Sequence, residues 1–141
     1  MALDARQVIN GSWGSVYFDD ELMITLKAFQ AKVEFNKEEI NVVGSLATDT
    51  KITSYAGKGS MTVHKVNSYI IKKATRKLKE GKDIRCTMVG KLDDPDAKGA
   101  ERIAIKNVSF DEVTLFDFEV ASPGEIEAPF TFTDWELLDV I

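Results

Sequence analysis

Residues 22–35 read LMITLKAFQAKVEF and carry the strongest fold signal in the chain. Apolar side chains occupy every second position, a spacing that places them on one face of a β-strand. The phase changes once: the first set is Leu22, Ile24 and Leu26, and the second is Phe29, Ala31, Val33 and Phe35. This change, near Lys27 and Ala28, predicts a β-bulge or a strand whose two halves bury opposite faces.

A short hairpin and two less regular segments surround this strand. Val16–Phe18 is a second β-like run, and the acidic pair at positions 19 and 20 separates the two runs as a turn. Residues 1–12 have no period and are predicted to form a flexible N-terminal arm. Residues 36–51 also lack a period, which predicts a long loop of the kind that often serves a function. A short strand at Glu39–Val43 is an equal alternative.

The middle of the chain changes from strand to helix periodicity. Residues 52–66 are rich in Thr, Ser, Tyr and Val and are predicted to form a strand, with Gly57 and Gly59 marking a bend or bulge. Apolar residues then recur at helical spacing, at Ile70, Ile71, Ala74 and Leu78. One packed α-helix is therefore predicted at about residues 67–80, with Gly81 at its C-terminal cap.

The second half of the chain alternates strands with turns. Strands are predicted at residues 84–89, at 103–110 with a break in phase, at 113–120, and at 130–137 with another break. The chain contains no internal repeat. The predicted fold class is therefore mainly β: a β-barrel or β-sandwich with one packed helix, in a single domain spanning residues 1–141.

Composition and charge describe an ordinary globular chain with two oppositely charged segments. The 141 residues are 44% hydrophobic and 29% charged, which excludes global disorder and leaves room for one core. Residues 65–82 hold seven Lys or Arg and one Glu, a net charge of +6, whereas residues 111–141 hold nine Asp or Glu and no Lys or Arg. Such asymmetry suits a self-assembling molecule whose positive face meets a negative face on a neighbour.

Residues suited to catalysis or metal binding are sparse. His64 and Cys86 are the single histidine and the single cysteine, so a histidine-based metal cage is excluded. Cys86 lies in phase with its apolar neighbours, which predicts a buried, inert thiol rather than a nucleophile. The acidic cluster at residues 93–96 lacks the spacing of a calcium loop and is predicted to be a solvated turn. We therefore predict no catalytic residue, no metal site and no cofactor, and a protein that is not an enzyme.

Targeting signals are also lacking. No apolar run approaches the roughly 18 residues of a membrane helix, so no membrane insertion is expected of the subunit. The chain shows no secretory signal, and one cysteine makes no internal disulfide. A cytoplasmic folding compartment is the expectation.

The basic face of the predicted helix leaves three interpretations open. Its cations are Lys72, Lys73, Arg76 and Lys77. They form a solvated surface, dock onto an acidic surface of another copy, or track the phosphates of a nucleic acid. The last interpretation makes the chain a small nucleic-acid-binding β-barrel using helix 67–80. Tyr69 is the only aromatic residue nearby, so no stacking platform for bases accompanies the cations.

Several stretches carry a resemblance to a known family. They are DARQVINGSWG (residues 4–14), the hairpin strand at 16–19, GKGSMTVHK (57–65) and EAPFTF (127–132). Together they resemble the tail tube proteins of contractile-tailed phages, in the XkdM-like branch of defective prophages and phage-tail-like bacteriocins. Type VI secretion tube proteins share the general architecture, but the opening stretch and the C-terminal pattern favour the phage type.

The resemblance implies a structural role. Such proteins form hexameric rings that stack into a hollow tube inside a contractile sheath, and DNA passes through the lumen without specific binding. The implied partners are further copies of the chain, the tail sheath and baseplate or initiator proteins. The implied location is the host cytoplasm during assembly and then the virion tail or tail-like particle.

The expected assembly interface is apolar. The candidate residues are Trp13, Val16, Phe18, Phe29, Val33, Phe35, Ile40, Val43 and Leu46. The first hairpin, about Val16–Phe35, is expected to contribute to the lumen lining. The loop at 36–51 and the N-terminal arm are candidates for contacts between rings.

Overall fold

The computed structural model describes residues 2–141, which form eight β-strands, one short α-helix and three single 3-10 turns. The strands are β1 (Gly14–Phe18), β2 (Glu21–Leu22), β3 (Leu26–Asn41), β4 (Thr48–His64), β5 (Cys86–Leu92), β6 (Glu101–Phe110), β7 (Glu125–Phe132) and β8 (Asp134–Asp139). The helix α1 is Tyr69–Thr75, and the 3-10 turns are Ala5–Gln7, Gly11–Trp13 and Leu78–Glu80. The predicted fold class, mainly β with one helix, is confirmed.

All strand pairs are antiparallel, and the sheet is open. The strand order is β2-β1-β5-β6-β7-β4-β3, and β8 pairs with β6 beside this path. β6 therefore pairs with β5 along one edge. Along its other edge it pairs first with β8, over Arg102–Lys106, and then with β7, over Ser109–Phe110. β2 and β3 end the order, so the sheet does not close into a complete barrel.

The core lies between the two halves of this sheet. Phe18 and Phe110 stack with their ring centroids 5.7 Å apart, and Phe29 and Phe130 stack at the same separation. The helix adds Ile70 to the same cluster. The largest fully buried side chains are Phe18, Phe130, Met61, Met88 and Val108. Burying each of them contributes about 1.5–3 kcal/mol.

The predicted hairpin and phase breaks are confirmed. Asp19 and Asp20 both have positive φ, as a two-residue turn between β1 and β2 requires. The pairing of β3 with β4 shifts between Leu26 and Ala28, where the alternation changes phase. β6 shows the second break at Asn107, which has φ of 58° and lies where the β5–β6 register shifts. The third break, predicted within 130–137, separates two strands, since β7 ends at Phe132 and β8 begins at Asp134.

The two glycines of β4 do not mark a bulge in its pairing. Gly57 and Gly59 pair without interruption with β3 on one side and β7 on the other. A Cβ atom at Gly57 would meet the ring of Phe132, and one at Gly59 would meet the ring of Phe130. Backbone carbonyl oxygens, of Phe132 at Gly57 and of Gln30 at Gly59, are as close as the rings, so a side chain has no room at either position.

The helix is shorter than the predicted 67–80. It ends at Thr75, since Arg76 turns to extended backbone and Lys77 takes the left-handed conformation with φ of 61°. A separate 3-10 turn follows, and Gly81 caps that turn instead of the helix. The Asn67 side chain accepts the Tyr69 N–H at 3.0 Å and so caps the start.

Two other segments differ from prediction. Residues 36–51 are not a long loop: β3 continues to Asn41 and β4 begins at Thr48, which leaves a connection of residues 42–47. Residues 113–120, predicted to be a strand, pair with no strand among residues 2–141 and form part of an irregular connection from β6 to β7.

The N-terminal segment contains no strand but is attached to the body. The backbone N–H of Asn10 donates to a buried carboxylate oxygen of Asp94 at 2.9 Å. Asp94 also accepts the N–H of Asp96 at 2.9 Å, so one carboxylate organises both segments. Of the predicted arm at residues 1–12, residue 1 lies outside the described residues.

Candidate assembly surfaces

The longest strands leave the body of the domain as a two-stranded ribbon. We define the ribbon as residues 34–56, the outer parts of β3 and β4 with their connection. β7 pairs with β4 only over Gly57–His64, so within residues 2–141 the ribbon has no third strand. Pairing runs from Glu34 opposite Ala56 to Asn41 opposite Thr48. Both long edges of the ribbon are therefore free.

One face of the ribbon continues the apolar face of the core. Phe35 pairs with Tyr55, two positions beyond Val33, which packs against the core cluster. Ile52 follows on the same face after a register shift between Asn36 and Lys37. Each of Phe35, Ile52 and Tyr55 is more than half exposed. The tip exposes Val43 and Leu46 completely.

Aromatic and ionic contacts hold the base of the ribbon. The Tyr55 ring meets the Trp135 ring edge-on at 5.5 Å, and Trp135 meets Phe132 in the same way at 6.3 Å. Glu34 lies between Lys58 at 3.3 Å and Lys32 at 3.4 Å. Hydrogen bonds from these lysines, Lys58 first, lower the pKa of the Glu34 carboxyl. The ribbon thus leaves the body in a defined direction.

The predicted interface residues divide into three groups. The prediction that Val16 and Phe18 belong to the assembly interface was wrong, because both side chains lie in the core of the subunit. Phe29 and Val33 are partly buried against that core. The remaining five are exposed: Trp13, Phe35, Ile40, Val43 and Leu46. Alternation alone cannot separate a core face from a contact face, since both require apolar side chains at every second position.

Two exposed apolar features were missed as contact surfaces. Ile52 and Tyr55 belong to the ribbon but were assigned to the predicted strand at residues 52–66 and not to a contact surface. Residues 113–120 were also read as an ordinary strand, yet Phe116 and Phe118 are 90% and 82% exposed. The alternation of Phe116 and Phe118 with charged residues was the sequence signal that could have indicated a contact surface.

An open groove lies between β3 and the opposite half of the sheet. Its volume is about 930 Å³. Its apolar lining includes Phe29, Ile105 and Phe132, and its charged lining includes Lys27, Lys32, Lys91 and Glu101. The groove marks the place where the sheet fails to close.

The basic face of the helix is only partly free. Lys73 Nζ lies 3.8 Å from an Asp19 carboxylate oxygen and 5.5 Å from the centre of the Phe18 ring. Lys73 is therefore part of the fold. Lys72, Arg76 and Lys77 are exposed and supply the accessible positive charge.

The single cysteine and histidine occupy structural positions. Cys86 is buried, and its thiol lies 3.5 Å from the Val108 carbonyl oxygen. Burial is the main cause that raises its pKa to about 11. The predicted burial of the thiol is confirmed. His64 is exposed at the end of β4. Within residues 2–141 no group of three or more His, Cys, Asp or Glu is arranged to hold a metal ion.

No helix in the described part of the chain has the length and apolarity needed to span a membrane.

Solved chains from contractile systems share this fold. A chain of the sheath–tube complex of PVC, an extracellular contractile injection system, superposes with a TM-score of 0.74. The two chains are 10% identical, and the match covers 99% of this chain and 100% of that one. A chain from the cap of the anti-feeding prophage tube superposes with a TM-score of 0.71, also at 10% identity, and covers 99% of this chain and 95% of that one.

The chain belongs to the phage tail tube protein family, whose model matches residues 1–139. Phage-like element PBSX protein XkdM of Bacillus subtilis (strain 168) is 37% identical over 139 residues, which are 97% of this chain and 95% of XkdM. The resemblance identified from the sequence is thereby confirmed. The family consists of structural tube proteins, so the prediction that the chain is not an enzyme is also confirmed.

Proposed function

We propose that this chain is a subunit that forms hexameric rings, and that the rings stack into the hollow inner tube of a contractile phage tail or phage-tail-like particle. The observation that carries the proposal is the ribbon, residues 34–56, which extends from the body with apolar residues on a free face. Family membership supports a tube subunit, and the ribbon supplies a means of assembly.

The ribbon needs a partner for physical reasons. Two strands without a third are marginally stable in water. The paired part has eight residues in β3, from Glu34 to Asn41, and at 3.4 Å per residue it reaches about 25 Å beyond the body. Contact with a neighbouring ring would bury Val43 and Leu46 at the tip together with the apolar face near the base.

The open sheet favours ring formation. β3 is an end strand of sixteen residues, and within residues 2–141 it pairs only with β4. Long free edges pair readily with other chains. Head-to-tail contacts between identical subunits remove such edges when the rotation closes a ring.

The outer face of β3 and β4 suits a lumen. The side chains opposite the core face are small or polar and include Ala28, Gln30, Lys32 and Glu34 on β3 and Ser60 and Thr62 on β4. Lys32 and Lys58 are both paired with Glu34, which offsets their positive charge. A surface of this kind lets DNA pass without gripping its phosphates. We therefore assign the lumen lining to this face. Of the hairpin Val16–Phe35, which was expected to contribute to the lining, only the exposed side of β3 then faces the lumen.

The remaining partners follow from the same arrangement. The helix lies beside the β1–β2 turn, where Tyr69 donates to Glu21 and Lys73 pairs with Asp19, and β2 and β3 are at opposite ends of the strand order. Its exposed cations Lys72, Arg76 and Lys77 would meet an acidic surface of the sheath or of a neighbouring subunit. Related folds occur in chains from a sheath–tube complex, a tube cap and a baseplate. The proposed location is the host cytoplasm during assembly and then the tail.

Negative-stain electron microscopy of the concentrated protein tests the proposal. Rings or hollow tubes of uniform width, with six-fold symmetry in averaged end views, are the expected result. Rings of another order would overturn the hexamer. Dispersed small particles that bind duplex DNA, with affinity that falls steeply with salt and is lost when Lys72, Arg76 and Lys77 are changed to Gln, would instead support the nucleic-acid-binding alternative.

A further inference from the structure

The connection between β6 and β7 has the sequence pattern of a strand at residues 113–120 but no strand partner within residues 2–141. We call residues 111–124 the acidic loop. Its ends are fixed: the Asp111 N–H donates to the Pro129 carbonyl at 3.0 Å, and the Lys65 N–H donates to the Gly124 carbonyl at 2.8 Å. Between these points, no N–H of residues 113–120 donates to another residue of the described chain, 2–141. The middle of the loop thus offers a free backbone edge.

The side chains of the acidic loop alternate as in a strand. Phe116, Phe118 and Val120 are apolar, and Asp117 and Glu119 lie between them. In extended backbone the first three would point to one side and the two carboxylates to the other. All three apolar side chains are more than four-fifths exposed. Exposed aromatic side chains grouped in this way mark an interaction surface.

The groove beside β3 has the complementary features. Its apolar lining includes the partly buried Phe29, Val33 and Ile103 and the exposed Leu137. Its lysines Lys27, Lys32 and Lys91 each pair with a carboxylate of the same subunit, those of Glu125, Glu34 and Asp93. The groove is bordered by the free edge of β3, so it offers backbone hydrogen-bond partners as well as an apolar surface.

We propose that the acidic loop of one subunit pairs as an added strand with the free edge of β3 in a neighbouring copy of this chain. Phe116 and Phe118 enter the groove, and Asp117 and Glu119, on the opposite side of the added strand, lie toward solvent. Added strands of this kind gain affinity from backbone hydrogen bonds and specificity from alternate side chains. The contact joins two different surfaces, so repetition closes a ring or continues as a filament. The inference rests on the proposed ring assembly and names its contact.

Crosslinking within assembled particles tests this contact. Val120 and Ala31 are replaced by cysteine in one chain, which keeps both phenylalanines of the loop, and Ala31 is an exposed residue of the groove lining. A short bismaleimide is expected to give a ladder of covalent oligomers up to the ring size on denaturing gels. The control pairs Val120→Cys with Thr87→Cys, because Thr87 is exposed but outside the groove. The control is expected to lose the ladder, and the buried Cys86 does not compete.

A double substitution gives an independent readout. Phe116→Asp with Phe118→Asp should abolish rings and leave the thermal midpoint of the free subunit unchanged, because both side chains are exposed. Rings from this variant, a crosslink found only within single subunits, or equal ladders from the test and control cysteine pairs would each overturn the contact while the ring assembly stands. Absence of rings from the unmodified protein under every assembly condition would instead refute the proposed function.

Discussion

Gly59 and Phe130 face each other across the β4–β7 pairing, and the phenyl ring of Phe130 lies over the glycine backbone. A Cβ atom on Gly59 would lie 2.5 Å from Phe130 Cζ, well inside van der Waals contact. Phe130 is completely buried and stacks on Phe29 from β3. The glycine therefore lets one aromatic side chain fill the core beside three adjacent strands.

Gly59→Ala should lower the free energy of unfolding by about 2–4 kcal/mol, because the ring and the strand backbone must separate to admit a methyl group. Urea unfolding followed by tryptophan fluorescence measures the change. Gly90→Ala is the matched control: Gly90 also lies in a strand, and a Cβ there has no neighbour within 4 Å. The control should leave stability unchanged or raise it by up to about 1 kcal/mol. Equal losses from both variants would contradict the close approach at Gly59.

Lys73→Gln should destabilise the subunit, although lysines on a helix surface seldom matter. Lys73 Nζ lies near an Asp19 carboxylate and over the rings of Phe18 and Tyr69, and only 19% of its side chain is exposed. Loss of the cation–π and ionic contacts should cost about 1 kcal/mol. Lys72→Gln, on an exposed position of the same helix, should change stability by less than about 0.5 kcal/mol. Thermal unfolding of both variants decides whether the contacts of Lys73 stabilise the folded subunit.

The buried thiol predicts a loss of stability in alkali. Burial raises the pKa of Cys86 from about 9 to about 11. Between these values the unfolded chain releases the thiol proton while the folded chain retains it, so stability falls as the pH rises. The urea midpoint should therefore drop between pH 8 and pH 10.5, and the drop should be smaller in Cys86→Ala. The folded protein should also resist iodoacetamide at pH 8, where the denatured chain reacts. Rapid alkylation of the native protein would show that the thiol is accessible.

Sequence periodicity predicted the strands that have one buried face. The phase change near Lys27 appears as a shift in register, and the alternation of β7 becomes the buried series ending at Phe132. The ribbon was not predicted because both of its faces are exposed. Apolar and polar side chains therefore need not alternate in charged runs such as Lys37–Glu39.

The assembly surfaces were harder to infer because they depend on partners outside the chain. Residues 113–120 have the pattern of a strand, but their own subunit supplies no neighbour for them. Val16 and Phe18 have the pattern of a contact surface and instead fill the core. Local sequence therefore predicted which side chains need burial, while the topology determines whether the same subunit or another one provides it.

The ribbon tip gives a prediction that separates stacking from ring closure. Val43 and Leu46 are completely exposed at the end furthest from the body, so their replacement leaves folding unaffected. Val43→Glu with Leu46→Glu should yield isolated rings instead of tubes, because carboxylates cannot be buried between rings without a large desolvation cost. Electron microscopy and sedimentation velocity measure the ratio of rings to tubes, and Val66→Glu, on an exposed apolar residue of the body, serves as control. Tubes of normal length from the double variant would exclude the tip from stacking. Loss of the rings themselves would place the tip in the contact between subunits of one ring.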